Sequence, residues 1–133
     1  MNRHSCREKA MICLYQHRLL NKPMDEIIEE VMEMKTGELD DFSRIELDDF
    51  SRILILDTLD NENRYIQYIN ETLKDWSFER LGVLEQAILL MACSELDHQT
   101  ASAAIIIDEA VRLAKDYCDD EAYRLINGVL DRI

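Results

Sequence analysis

Leu81-Gly-Val-Leu-Glu-Gln-Ala-Ile-Leu-Leu-Met-Ala-Cys-Ser-Glu-Leu96 is the stretch on which the fold turns. Seven consecutive residues in its middle, Ala87 to Cys93, carry no polar side chain. A helix of about 3.6 residues per turn shows every face over such a run, so a helix here cannot lie half in water and must be surrounded by other elements. Glu85, Gln86, Ser94 and Glu95 stop the apolar run well short of the about 18–20 residues that a membrane span needs. A strand is disfavoured, because the run is long and Leu, Met and Ala outnumber β-branched residues. The stretch predicts the central rod of an all-helical domain.

Only three Gly and one Pro among 133 residues leave few of the turns that strands need. The length suits one domain over residues 1–133, with a core that needs no disulfides. Cys6, Cys13, Cys93 and Cys118 form no CxxC pair and read as reduced cytosolic thiols. His4, His17 and His98 show no ligand spacing with one another or with cysteine, so neither a metal nor another cofactor is expected. No apolar segment follows the basic start, which excludes a secretory signal and predicts a cytoplasmic protein.

The net charge of −13 is unevenly spread. Residues 1–22 set Arg3, Arg7, Lys9, Arg18 and Lys22 against Glu8 alone, a net of +4 that leaves −17 on the other 111 residues. A basic end on an acidic body suggests one anion-contacting surface. The same distribution also fits a basic helix docked on its own acidic body, since intramolecular ion pairs are common though weak.

Apolar spacing predicts a first helix over 5–20, with Ser5 and Glu8 as a capping box and Ala10, Cys13, Leu14 and His17 on its inner face, widened by Met11, Tyr15 and Leu20. Its cations Arg3, Arg7 and Lys9 sit at the wrong pole of the helix dipole, which hints at an anion supplied from outside. Pro23 opens a second helix with Ile27, Ile28, Val31 and Met34 inward, ended by Thr36-Gly37. The octapeptide Glu38–Ile45 is then repeated at once as Glu46–Ile53. Eight residues rotate a helix by a net of about 80°, so the copies cannot share one apolar stripe. The second copy runs on into Leu54, Leu56 and Leu59 as a helix, whereas the first reads as an added turn or loop without chemistry of its own. Tyr65, Ile66, Ile69 and Leu73 mark a fourth helix, and Trp76 is expected to lock the loop before the central rod. Thr100 or Ser102 caps a sixth helix carrying Ile105, Ile106 and Ile107, and Asp119 caps a seventh carrying Leu125, Ile126, Val129 and Leu130. Gly128 inside that last helix implies a close helix approach or an exposed backbone beside Asn127.

No GxSxG, GxGxxG, P-loop or HExxH pattern is present, and the carboxylates fall on solvent-facing positions. The residues alone point to a cytosolic helical bundle with one basic end, a binding protein rather than an enzyme.

Several stretches, taken in order, resemble the NusB family of bacterial transcription antitermination factors. Arg7-Glu8-Lys9-Ala10 with Leu14-Tyr15-Gln16 is similar to its opening, and Trp76-Ser77, Arg80-Leu81, Leu84 to Leu89 and Glu95-Leu96 to its central helix. Asp108-Glu109-Ala110-Val111-Arg112-Leu113-Ala114-Lys115 and the closing Ile126-Asn127-Gly128-Val129-Leu130-Asp131 complete the set. The resemblance implies an all-α fold of about seven helices in two small subdomains around a buried central helix, with no enzymatic activity. It implies binding of the boxA element of nascent ribosomal RNA transcripts together with NusE, a small-subunit ribosomal protein, within the RNA polymerase antitermination complex, and no membrane partner. Carried over residue by residue, Arg3, His4, Arg7, Lys115, Arg124 and Asn127 are the expected RNA contacts, and Tyr15, Glu85 and Glu121 the expected partner contacts. Departures include Cys118 in place of a Gly, so the sixth helix is expected to end without a left-handed cap, and the octapeptide duplication.

A second reading, favoured by the charge of −13, is an acidic protein–protein module of the same fold with weak or no RNA binding. A third, the bundle that precedes RNA methyltransferase domains, is set aside because no cofactor loop occurs before Ile133. Monomer and homodimer both remain compatible with the sequence.

Overall fold

The structure, a computed structural model, describes residues 2–33 and 41–133, with side chains at 2–30 and 49–133. Its helices are α1 (Arg3–Leu20), α2 (Met24–Glu33), α3 (Asp41–Asp60), α4 (Glu62–Thr72), α5 (Val83–His98), α6 (Ala103–Tyr117) and α7 (Ala122–Arg132), with a 3-10 turn at Phe78–Arg80. No strand occurs among the described residues, and no helix among them is long and apolar enough to cross a membrane. The chain divides into two compact units, residues 1–56 and 57–133.

In the first unit α1 packs against α2. Cys6, Ala10, Met11, Cys13 and Leu14 are buried along α1, as are Ile27 of α2 and Leu54 and Ile55 of α3. The Ser51 hydroxyl of α3 donates to the Cys6 carbonyl at 3.2 Å. The α1 start differs from the sequence expectation. Asn2 is the cap, its Oδ1 accepting the Ser5 N–H at 3.0 Å. Glu8 instead lies 3.7 Å from His4, one turn away on the same face. Asn or Asp at this position caps as well as Ser, so an earlier Asn displaces the later Ser. Leu20 is half exposed because α1 ends there, with Asn21 in the left-handed region (φ 56°) returning its N–H to the His17 carbonyl.

The first octapeptide copy does not form a loop where it is described. Asp41 to Ile45 belong to α3, since no Gly or Pro interrupts the stretch and extending a formed helix adds one hydrogen bond per residue. Glu38 to Asp40, the expected stop at Thr36-Gly37 and the expected burial of Val31 and Met34 lie outside the described residues and side chains.

In the second unit every residue of α5 from Gln86 to Glu95 is buried, and α4, α6 and α7 pack around it. The polar members of that run are satisfied internally. Gln86 Nε2 donates to the carbonyls of Phe78 (3.0 Å) and Leu81 (3.1 Å), and Glu95 Oε1 accepts the Thr100 hydroxyl at 2.7 Å. At the far end of α5, Asp97 Oδ2 accepts both the Tyr65 hydroxyl (2.8 Å) and an Arg64 N–H (2.6 Å) from α4. These two bonds hold the Asp97 carboxyl below the usual carboxylate range, Arg64 contributing more than Tyr65. Ser102 caps α6, accepting the Ile105 N–H, and Cys118 ends it in extended conformation, without a left-handed cap.

The expectation for Trp76 is corrected in this unit, and the two alternatives left open for Gly128 are narrowed to one. Trp76 does not lock a loop: it is 50 % exposed, with the Arg80 guanidinium 5.4 Å from its ring. Phe78 takes the buried place, its own N–H caught by Asn70 Oδ1 at 2.8 Å. A buried indole needs a partner for its N–H, whereas a phenyl ring needs none. Ile105 is half exposed, so the inner stripe of α6 runs through Ile106, Ala110, Leu113 and Ala114. Gly128 makes no close approach, since a Cβ built there meets nothing within 4 Å.

Candidate nucleic-acid interface

In each unit, cations expected at the RNA surface meet an aromatic ring. In the first, Arg3 in the opening turn of α1 places its guanidinium over the Phe50 ring of α3, 3.9 Å from the centroid, and the Arg7 guanidinium lies 5.7 Å from the same ring. Arg3 is exposed, while Arg7 is only 5 % exposed and Lys9 only 2 %. Two of the three cations at the start of α1 are therefore built into the unit that carries them. His4 faces Glu8 with 13 % of its side chain exposed, so it too is largely covered.

In the second unit, α6 and α7 are joined by a short turn that brings Lys115 beside Tyr123. The Lys115 Nζ is 4.9 Å from the Tyr123 centroid and the Arg124 guanidinium 5.6 Å, with Arg124 Nε donating to the Tyr123 hydroxyl at 3.3 Å. The turn is fixed by Asp119, whose Oδ1 accepts the N–H groups of Glu121 and Ala122, although the residue at the cap position itself is Glu121. Asn127 is exposed one turn further along α7, four residues from Tyr123 and three from Arg124, and thus on the same face. Three of the expected RNA residues, Lys115, Arg124 and Asn127, are brought together in this way. An aromatic face flanked by cations with a neighbouring amide offers stacking, phosphate contact and base-edge hydrogen bonding at once.

Glu85 and Glu121 also converge. With Asp119, Trp76, Leu81 and Leu125 they line a cleft of about 420 Å³. Burial pushes the Glu85 carboxyl up and the negative charge of Asp119 adds to this, while the Gly82 backbone N–H at the start of α5 pulls it down. Tyr15, the third expected partner contact, is half-buried on α1 in the first unit. Burial also drives the thiols up, Cys118 and Cys13 to about 11 and Cys93 to about 12, so all three stay protonated and none is an activated nucleophile. No cluster of His, Cys, Asp and Glu among the described residues could hold a metal ion.

Phe50 and Tyr123 are the functional candidates that the sequence reading missed. Tyr123 was detectable, because it shares the exposed stripe of α7 with Asn127. Phe50 was not, because its partner Arg3 lies 47 residues away in sequence.

The sequence model of the NusB family matches residues 4–133. A transcription antitermination protein NusB from an Exiguobacterium species is 39% identical over 134 residues, covering 100% of this chain and 97% of that protein. Its counterpart from Staphylococcus carnosus is 37% identical, covering 100% of this chain and 99% of that protein. Among solved structures, T. maritima NusB superposes with a TM-score of 0.86 at 27% identity, over 99% of this chain and 89% of that one. A crystal structure of the antitermination factors NusB and NusE in complex with double-stranded RNA contains a chain that superposes with a TM-score of 0.84 at 25% identity, over 98% of this chain and 96% of that one.

Proposed function

The chain belongs to the NusB family, and from that premise we propose that it is a transcription antitermination factor that binds boxA RNA together with NusE and joins the RNA polymerase antitermination complex in the cytoplasm. Residues 1–133 act as one binding domain without enzymatic activity. The group formed by Lys115, Tyr123 and Arg124 beside Asn127 carries the RNA reading. On the first unit Arg3 is the direct RNA contact, and the buried Arg7 and the covered His4 support the turn that presents it. Tyr15, Glu85 and Glu121 are assigned to NusE. The cleft at Glu85 sets the carboxylates of Glu85, Asp119 and Glu121 against the single cation Arg80, and this excess suits a cationic segment of a ribosomal protein.

A titration of labelled boxA RNA with the protein, repeated in the presence of NusE, tests this directly. Binding by the protein alone that tightens at least several-fold with NusE is expected. NusE binding without any RNA binding would favour the second reading, an acidic protein–protein module, which the burial of Arg7 and Lys9 on a chain of net charge −13 supports.

A further inference from the structure

The duplicated octapeptide is the one sequence motif that the proposed function leaves without a part, and its second copy meets α1 through both Phe50 and Ser51. Phe50 lies under the Arg3 guanidinium at 3.9 Å, and Ser51, the next residue, is fully buried and donates to the Cys6 carbonyl at 3.2 Å. One contact fixes the backbone of the first α1 turns relative to α3, and the other fixes the end of the Arg3 side chain. The guanidinium therefore has one face on the Phe50 ring while Arg3 itself remains exposed to solvent.

We infer that Phe50 and Ser51 are positioning residues for RNA recognition, holding the exposed Arg3 guanidinium in a fixed place where its outer face stacks on a single-stranded nucleobase and its N–H groups reach the adjoining phosphate. This rests on the RNA reading above. A free arginine on a helix terminus samples many rotamers and must give them up on binding. Immobilising a side chain of this kind costs about a factor of three to ten in affinity, which a guanidinium already seated on a ring does not lose again. Guanidinium planes are established stacking surfaces for unpaired bases, so base, guanidinium and phenyl ring form a three-layer stack.

The experiment is a double-substitution cycle read by fluorescence anisotropy of labelled single-stranded boxA RNA, with NusE present and at one salt concentration. Phe50→Leu, which keeps the apolar contact and removes the ring, is expected to weaken binding about three- to ten-fold. Phe50→Tyr is expected to restore it to within about twofold, since the ring face is retained. In an Arg3→Ala background Phe50→Leu is expected to have no further effect. Equal losses from Phe50→Leu with and without Arg3, or failure of Phe50→Tyr to rescue a correctly folded protein, would overturn the positioning role while leaving the RNA reading in place. No binding by the unsubstituted protein with NusE would overturn both. Where Phe50→Leu fails to fold, Phe50→Met, which also keeps apolar volume and removes the ring, takes its place in the cycle with the same expected outcomes.

Discussion

The salt dependence of RNA binding follows from counting which cations can reach a phosphate. Of the five expected basic or cationic contacts, Arg7 is buried and His4 is mostly covered, which leaves Arg3, Lys115 and Arg124 exposed. Single-stranded nucleic acid releases about 0.7 counterion per neutralised phosphate, so three contacts give a log–log slope of about 2. A fourfold rise in monovalent salt should then weaken binding about 20-fold, where a large basic footprint would lose several thousandfold. Arg3→Ala should lower the slope to about 1.4 and cost no more than about 1 kcal/mol of stability, the worth of an exposed stack on Phe50. Arg7→Ala should do the reverse. Truncating a side chain that is only 5 % exposed and lies 5.7 Å from the Phe50 centroid removes buried contacts and is expected to cost about 2 kcal/mol, with the slope unchanged. Anisotropy titrations across a salt series, paired with urea denaturation of each variant, measure both quantities. A slope steeper than about 4 would refute the three-contact count. So would an Arg7→Ala variant of unaltered stability whose slope has fallen.

Tyr65→Phe should cost about 2 kcal/mol at neutral pH, because the lost hydroxyl bonds a carboxylate from a fully buried ring. The lowered Asp97 carboxyl contributes stability above the ordinary carboxylate range and loses it as pH falls through its depressed value, so the difference between wild type and Tyr65→Phe should shrink on acidification below about pH 4; a constant difference in denaturation curves from neutral to acid pH would contradict the pairing. Gly128→Ala should stabilise by up to about 1 kcal/mol, since the new methyl meets nothing within 4 Å in a helix interior; if thermal melting shows the gain while RNA binding drops, the open space beside Asn127 is reserved for the ligand. Deleting Glu38–Ile45 or Glu46–Ile53 yields the same polypeptide, shortens α3 and retains one Phe-Ser pair in register with Leu54, and should change stability by no more than about 1 kcal/mol, since helix that adds no packing adds little net stability; a loss of several kcal/mol in urea would show that the additional copy is part of the core.

Local rules read from the chain alone were enough for the helices and for the buried rod. The run from Ala87 to Cys93 leaves a helix no wet face, and Gln86 to Glu95 are buried accordingly. Period and caps act over three or four residues, so Ser102 and Asp119 were legible as helix-start residues, whereas the end of α6 at Cys118 was legible only through the resemblance. The exposed stripe of α7 was legible from its period. Placement was not. Arg7 and Lys9 read as part of a basic arm, yet both are buried, because a long aliphatic stem lets a cation lie along an apolar surface and only the neighbouring elements decide whether it does. Trp76 and Phe78 are two residues apart and both aromatic, and which one enters the core depended on Asn70 and Gln86 holding the 3-10 turn between α4 and α5. The Arg3–Phe50 stack joins residues 47 apart in sequence, and the α6–α7 group is assembled across a turn. Sequence periodicity reports which side of an element is apolar, whereas a binding site depends on which sides of different elements meet, and that is set by packing across the whole unit.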